Sequence, residues 1–193
     1  MPTGTVVIIN GTSSSGKTSI VRAFQGLMDE PYLDAGIDRF IWMLPKRYLD
    51  RPLWDEVLGL ASHPGHVGCR LMSGMHRAIA DLAAAGNNIV ADHVLVEPAW
   101  LDECVRLFAP FAAYLVGIRC PLPVLEGRER LRKDRTLGQA RAQFSLVHAH
   151  GIYDVEVDTS ILTPEECALR IKARMEDGSG PRAFRRLRDR RTG

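Results

Sequence analysis

With 193 residues, 46% of them hydrophobic, the chain has apolar material for one well-buried domain and is short for two. Its formal net charge of +2 conceals an asymmetry: residues 178–193 hold six of the 25 basic side chains and one of the 23 acidic ones, so the remainder is slightly acidic and offers no general nucleic-acid surface. Cys69, Cys104, Cys120 and Cys167 are far apart and form no C-x-x-C pair, which speaks for reduced, mostly buried thiols over a disulfide or metal set. No apolar run reaches about 18 residues and no charged leader precedes Thr5, so no membrane span and a cytoplasmic location are expected.

Residues 5–10, Thr-Val-Val-Ile-Ile-Asn, read as a buried strand running into Gly11-Thr12-Ser13-Ser14-Ser15-Gly16-Lys17-Thr18. That segment fits the phosphate-loop pattern G-x-x-x-x-G-K-[ST], and Ser19 opens a helix-compatible stretch to Gln25. The glycines let the loop turn its N–H groups inward around a phosphate. The helix N-terminus adds its dipole, Lys17 a full positive charge, and the Thr18 hydroxyl a ligand for magnesium. The competing reading is a Gly/Ser turn between strand and helix; a chance match carrying the right flanks is rare. The pattern predicts a triphosphate substrate held by the loop through Ser19.

Gly26 and Asp29-Glu30-Pro31 end the first helix, and residues 32–38 read as a second strand closing on Asp38. A carboxylate at that sheet edge is the leading candidate for general base toward an acceptor hydroxyl; the alternative is an N-cap on a helix over residues 39–44, and both roles are compatible. Residues 46–68 read as irregular, interrupted by Pro52, Gly59, Pro64 and Gly65 yet carrying Trp54, Leu53, Val57 and Leu58. Such an apolar loop is expected over the acceptor side of a pocket. His63 and His66 lack further ligands nearby, so they read as solvent-facing or pocket-lining.

Residues 67–85 have helical spacing of Val67, Leu71, Met75, Ile79 and Leu82, with Gly86 as the stop and no evident chemistry. Residues 88–92 form a short strand closed by Asp92, placed to support magnesium beside Thr18 or simply to cap the following turn, with His93 expected at the pocket. A helix over 98–108 and a buried strand over 112–120 follow. Arg128, Arg132 and Arg135 recur at i, i+4 and i+7, which would set three guanidinium groups on one helical face as a lid over the triphosphate. Otherwise they lace a solvated helix to Glu126, Glu129 and Asp134. Gly138 reads as a hinge and residues 153–159 as the last strand. Thr163, Pro164 and Glu166 form a capping box, and an Arg-rich tail follows Asp177. The pattern is an α/β three-layer sandwich with a five-stranded parallel sheet. Residues 1–177 make one domain with a lid near 126–141, and residues 178–193 a basic flexible tail, solvated or a tether for RNA or an acidic surface.

On these residues the chain resembles the chloramphenicol phosphotransferase family, small phosphate-loop NTPase-type kinases with an adenylate-kinase-like core. The likeness runs from Val6 to about Ile171. It includes the loop with Ile20-Val21-Arg22 and Gln25, Gly36-Ile37-Asp38, Ile89-Val90-Ala91-Asp92, Val116-Gly117-Ile118-Arg119-Cys120, Glu126-Gly127-Arg128-Glu129 with Asp134-Arg135, and Tyr153 through Thr159. The resemblance implies ATP and Mg2+ as cofactors and transfer of the terminal phosphoryl group to a hydroxyl of a small molecule. Asp38 would be the base, with Lys17 on the phosphates and Arg135 in the lid. The chain departs from the family at Asp92-His93, where two adjacent acids are common, and across residues 46–68. A nucleotide or metabolite kinase of the same fold is the nearest alternative. A nucleic-acid-associated ATPase or switch is more distant, and the absence of N-K-x-D weakens it. Oligomeric state is left open, a homo-oligomer included.

Overall fold

Val6, Val7, Ile8 and Ile9 have no exposed surface, so the strand they form, β1 (Thr5–Asn10), is covered on both faces. The structure is a computed structural model and describes residues 2–49, 65–132 and 137–192. Among these, β1 joins β2 (Tyr32–Asp34), β3 (Asn88–His93), β4 (Ala112–Arg119) and β5 (Val155–Asp158) in one parallel sheet ordered β2-β3-β1-β4-β5. Alternate β1 side chains serve different cores, as the two-residue period of a strand dictates. Val6 and Ile8 pack with α4 (His66–Ala84) and α5 (Pro98–Phe108) through Ile79, Cys104 and Phe108. Val7 and Ile9 pack with α1 (Lys17–Leu27) and α8 (Pro164–Glu176) through Ile20, Phe24 and Ile171. The three-layer arrangement expected from strand and helix alternation is therefore observed.

A local signal fixes the start of α8. Thr163 Oγ1 accepts from the Glu166 N–H at 3.2 Å, and the Glu166 carboxylate accepts from the Thr163 N–H at 2.8 Å, completing the capping box that starts α8. The remaining helices are α2 (Ile37–Ile41), α3 (Lys46–Leu49), α6 (Leu122–Leu131), α7 (Gln139–Phe144) and α9 (Ala183–Thr192). Residues 46–68 are thus less irregular than the sequence suggests: helical turns occupy both ends, while residues 50–64, with Trp54 and His63, lie outside the described residues.

The basic tail, expected to be flexible, is instead a helix docked on α5 and β4. Ala183, Phe184 and Leu187 are buried, and the Phe184 ring meets Phe108 edge-on at 5.8 Å. The buried carboxylate of Asp154 accepts from the Arg182 and Ala183 N–H groups at 2.6 and 3.1 Å, satisfying the donors at the start of α9. A reading based on charge misses this because three apolar residues on one face outweigh the arginines around them. Phe184→Ala is expected to lower unfolding stability by about 3 kcal/mol, read from urea melts; an unchanged midpoint would mean that α9 does not dock in solution.

Candidate active site

The phosphate loop is held in shape by its own side chains. Gly16 takes a left-handed conformation at φ 88°, and Ser14 does so at φ 62°, where a residue with a Cβ pays about 1 kcal/mol of strain. Opposing bonds hold that strain in place. Ser15 Oγ donates to Thr12 O at 2.8 Å, and Thr159 Oγ1 donates to Ser15 O at 2.9 Å. The Lys17 ammonium, buried, donates to the Gly11 and Thr12 carbonyls at 2.9 and 2.7 Å. Among the described residues, Ser13 Oγ and Ser14 Oγ are buried without a hydrogen-bond partner, a costly state for hydroxyls unless a ligand supplies acceptors. The loop fits a polyphosphate on that observation.

Opposite the loop stand three acids. Asp92 lies at the end of β3, paired in register with Ile9, and its carboxylate accepts from Thr18 Oγ1 at 3.3 Å. Burial, reinforced by Asp38 and Asp34, pushes its carboxyl above the usual range against the opposing pull of Lys17 and the Thr18 hydroxyl. A buried carboxylate that two neighbouring acids disfavour suits a divalent cation. Thr18 and Asp92 are two oxygen donors that could hold magnesium, an ion that keeps waters and takes the rest from substrate phosphates. No group of three or more His, Cys, Asp or Glu side chains poised to hold a metal occurs among the described residues.

Asp38 does not close a strand as the sequence suggests. β2 stops at Asp34, and Asp38 sits in the first turn of α2, whose N-cap is Gly36. Asp34 shapes this turn: Oδ1 accepts from the Gly36 N–H at 3.1 Å, while Oδ2 takes Arg39 through two nitrogens at 2.9 and 2.6 Å. Gly36 is needed for a different reason than backbone freedom: a Cβ there would stand 1.9 Å from Asp92 Oδ1. Asp92 therefore packs directly against the turn that carries Asp38, and both acids line one cavity with Lys17, Thr18, Ile37, Val94 and Arg132.

Arg128 and Arg132 do not share a helical face. α6 ends at Leu131, and Arg132 follows with extended backbone. Arg132 lines the cavity with Asp38 and Asp92, whereas Arg128 donates to Thr159 Oγ1 and O at 3.0 and 2.7 Å beside a separate groove. Gly16, Ser19, Ile20, Leu162 and Pro164 complete that groove on the other side of the loop. Arg135 lies outside the described residues. Glu129, buried, closes the segment by accepting from the Gly138 and Ala140 N–H groups, each at 2.8 Å, and Gln143 of α7 accepts from the Ser13 N–H at 2.7 Å.

A family model described as chloramphenicol phosphotransferase-like protein matches residues 4–176. The chain belongs to the chloramphenicol phosphotransferase-like family. Two Mycobacterium tuberculosis proteins, from strains CDC 1551 and H37Rv, carry the provisional name O-phosphotransferase. Each is 35% identical to this chain over 203 aligned positions, spanning 98% of it and 90% of the relative. Among solved structures, an unliganded sugar kinase from Janibacter sp. HTCC2649 superposes with a TM-score of 0.67 at 17% identity, covering 92% of this chain and 96% of its own. Shikimate kinase from Acinetobacter baumannii gives 0.59 at 13%, covering 92% and 95%. At such identities these structures show the fold alone, that of the phosphate-loop kinases. Family and fold together support a phosphotransferase acting on small molecules.

This family member also contains site residues that sequence reasoning missed. Gln139, Gln143, Thr159 and Leu162 reach the loop or its flanking groove from distant segments, and their polar or apolar character alone carries no signal. His93, expected at the pocket, is fully buried on the other side of β3, where it meets His76 of α4. Near the end of β1, the Asn10 amide donates to Tyr153 OH at 2.8 Å, and His148 Nδ1 lies 2.6 Å from the same hydroxyl. Burial lowers His148 and His150 to about 4, and it lowers His76 and His93 as well. A histidine kept neutral in the fold gains a proton on unfolding, so stability is full above pH 6.5 and falls as the pH drops toward about 4. Melting temperature is therefore expected to decline across that window. The slope should flatten in the His148→Asn, His150→Asn double variant; an unchanged slope would place the titration elsewhere.

Proposed function

We propose that the protein transfers the terminal phosphoryl group of ATP to a hydroxyl of a small molecule. The observation that carries the reading is the single cavity shared by Lys17, Thr18, Asp38, Asp92 and Arg132. Loop amides and Lys17 hold the phosphates, and the groove between Arg128, Thr159, Leu162 and Pro164 takes the purine base. Asp38 accepts the proton of the acceptor hydroxyl and aligns its oxygen. Lys17 and Arg132, with Arg135 of the lid, stabilise negative charge on the transferring group. Thr18 and Asp92 would hold Mg2+, which when bound neutralises phosphate charge.

The acceptor enters on the side of Asp34, Arg39, Trp42 and Arg22, where Trp42 is 66% exposed. Chloramphenicol is the first acceptor to test, since the family carries its name, and a panel of hydroxyl compounds tests the wider reading. A product heavier by one phosphoryl group, seen by mass spectrometry after incubation with ATP and magnesium, is the expected result. Its absence from every acceptor would overturn the proposal; its absence with chloramphenicol alone would discard only that drug.

Two substitutions separate the roles. Asp38→Asn is expected to remove most turnover while leaving ATP affinity near normal by calorimetry, because a base acts on the acceptor. Loss of ATP affinity in that variant would reassign Asp38. Lys17→Ala should cost about 3 to 4 kcal/mol of transition-state stabilisation, read from kcat/KM, and near-normal activity would remove its phosphate role.

A further inference from the structure

Behind β3 runs a chain of hydrogen bonds in which every donor is determined. The Val94 N–H donates to His93 Nδ1 at 2.7 Å, so that nitrogen carries a lone pair and the neutral ring holds its hydrogen on Nε2. His93 Nε2 lies 2.7 Å from His76 Nε2, which must therefore accept, leaving the hydrogen of His76 on Nδ1. That hydrogen points to Glu103 Oε2 at 2.9 Å. Ser73 Oγ donates to Glu103 Oε1 at 2.8 Å, while Arg77 and Arg106 stand 3.9 and 3.8 Å from the same oxygen. Both rings are fully buried, and Glu103 keeps only 14% of its side chain exposed.

The other end of this chain is the site. The His93 carbonyl accepts the N–H of Gly11, the first loop residue, at 3.3 Å, and Asp92 precedes His93 directly. Because the Val94 N–H closes onto the ring of the preceding residue, the direction in which the backbone leaves β3 depends on how that ring is held. A ring free to switch its hydrogen to Nδ1 would lose Val94, tilt the peptide joining His93 to Val94 directly after Asp92, and loosen Gly11, which that peptide's carbonyl holds.

We propose that Glu103, acting through His76 and His93, is a positioning residue that fixes the Asp92 carboxylate toward Thr18 and the cation it would hold; this rests on the reading of Asp92 as a metal ligand. Outer partners that orient a ligand set typically contribute tenfold or more to metal affinity. The carboxylate at the far end sets one hydrogen direction along the whole relay.

The test uses Mn2+ as the probe. Its affinity is measured by electron paramagnetic resonance in the full-length protein saturated with a non-hydrolysable ATP analogue, beside analogue binding in EDTA and a thermal melt. Glu103→Ala is expected to weaken Mn2+ about tenfold and metal-free nucleotide binding by less, through the Gly11 contact alone. Glu103→Gln, whose amide oxygen still accepts from His76, should restore it. A lowered melting temperature with unaltered Mn2+ affinity in Glu103→Ala would reduce the relay to a core brace and overturn the proposal, as would a Gln variant as impaired as Ala. Asp92→Asn separates the premises. If it weakens Mn2+ and Glu103→Ala does not, the positioning role alone fails. If neither does, the metal reading fails and takes the positioning role with it. Should Glu103→Ala not fold, Ser73→Ala carries the test, with a smaller loss of Mn2+ affinity expected and none overturning the proposal.

Discussion

The parallel pairing of β3 against β1 is the constraint on which the site depends. It sets Asp92 beside Ile9 and His93 beside Asn10, so the chain leaves both strands at the same level, once as the phosphate loop and once as the segment from Val94. Slipping the pairing by one residue would turn Asp92 to the far face and bring His93 to the loop, because successive strand side chains point to opposite sides. The complete burial of Val6 to Ile9 and of Ile89 to Ala91 makes such a slip prohibitively costly. Core packing, with no functional group of its own, thereby determines which of two adjacent polar residues faces the nucleotide side.

A second tier of contacts refines that placement. The Asp34 carboxylate ties the turn at Gly36 to Arg39, and the missing side chain of Gly36 lets Asp92 lie against the same turn. Asp38 and Asp92 are thus placed by one short piece of backbone. Across the loop, Thr159 joins Ser15 to Arg128, so the groove beside Gly16 and the loop are built from the same bonds. α7 reaches the loop through Gln143, and its own first turn is held by Glu129 from α6. Few of the polar groups near the site act alone.

What the chain order reveals, and what it hides, follows from the range of the interactions. The phosphate loop, the capping box at Thr163 and the amphipathic helix of Ile79 were legible because each rests on neighbours within a few positions, and the family and the three-layer fold were legible with them. The spacing of Arg128 and Arg132 misled because a helical period says nothing about where a helix stops; α6 ends at Leu131 and the two guanidinium groups part company. Asp38 lines the cavity but lies on α2 and does not close a strand, since β2 is three residues long and its pattern merges with that of α2. The docking of Phe184 and the pairing of His76 with His93 depend on contacts between segments remote in sequence, where composition leaves no trace.

The strained Ser14 and the loop bonds around it have one further consequence. A cradle whose shape is maintained by intramolecular bonds loses little entropy when an anion enters, and it reads charge and curvature with little regard for what the anion is attached to. Free sulfate or inorganic phosphate is a natural competitor for such a surface. On the proposed reading, discrimination among nucleotides and among acceptors would fall to the two flanking grooves, and tightness of grip and choice of guest would be separately evolvable properties of the same molecule.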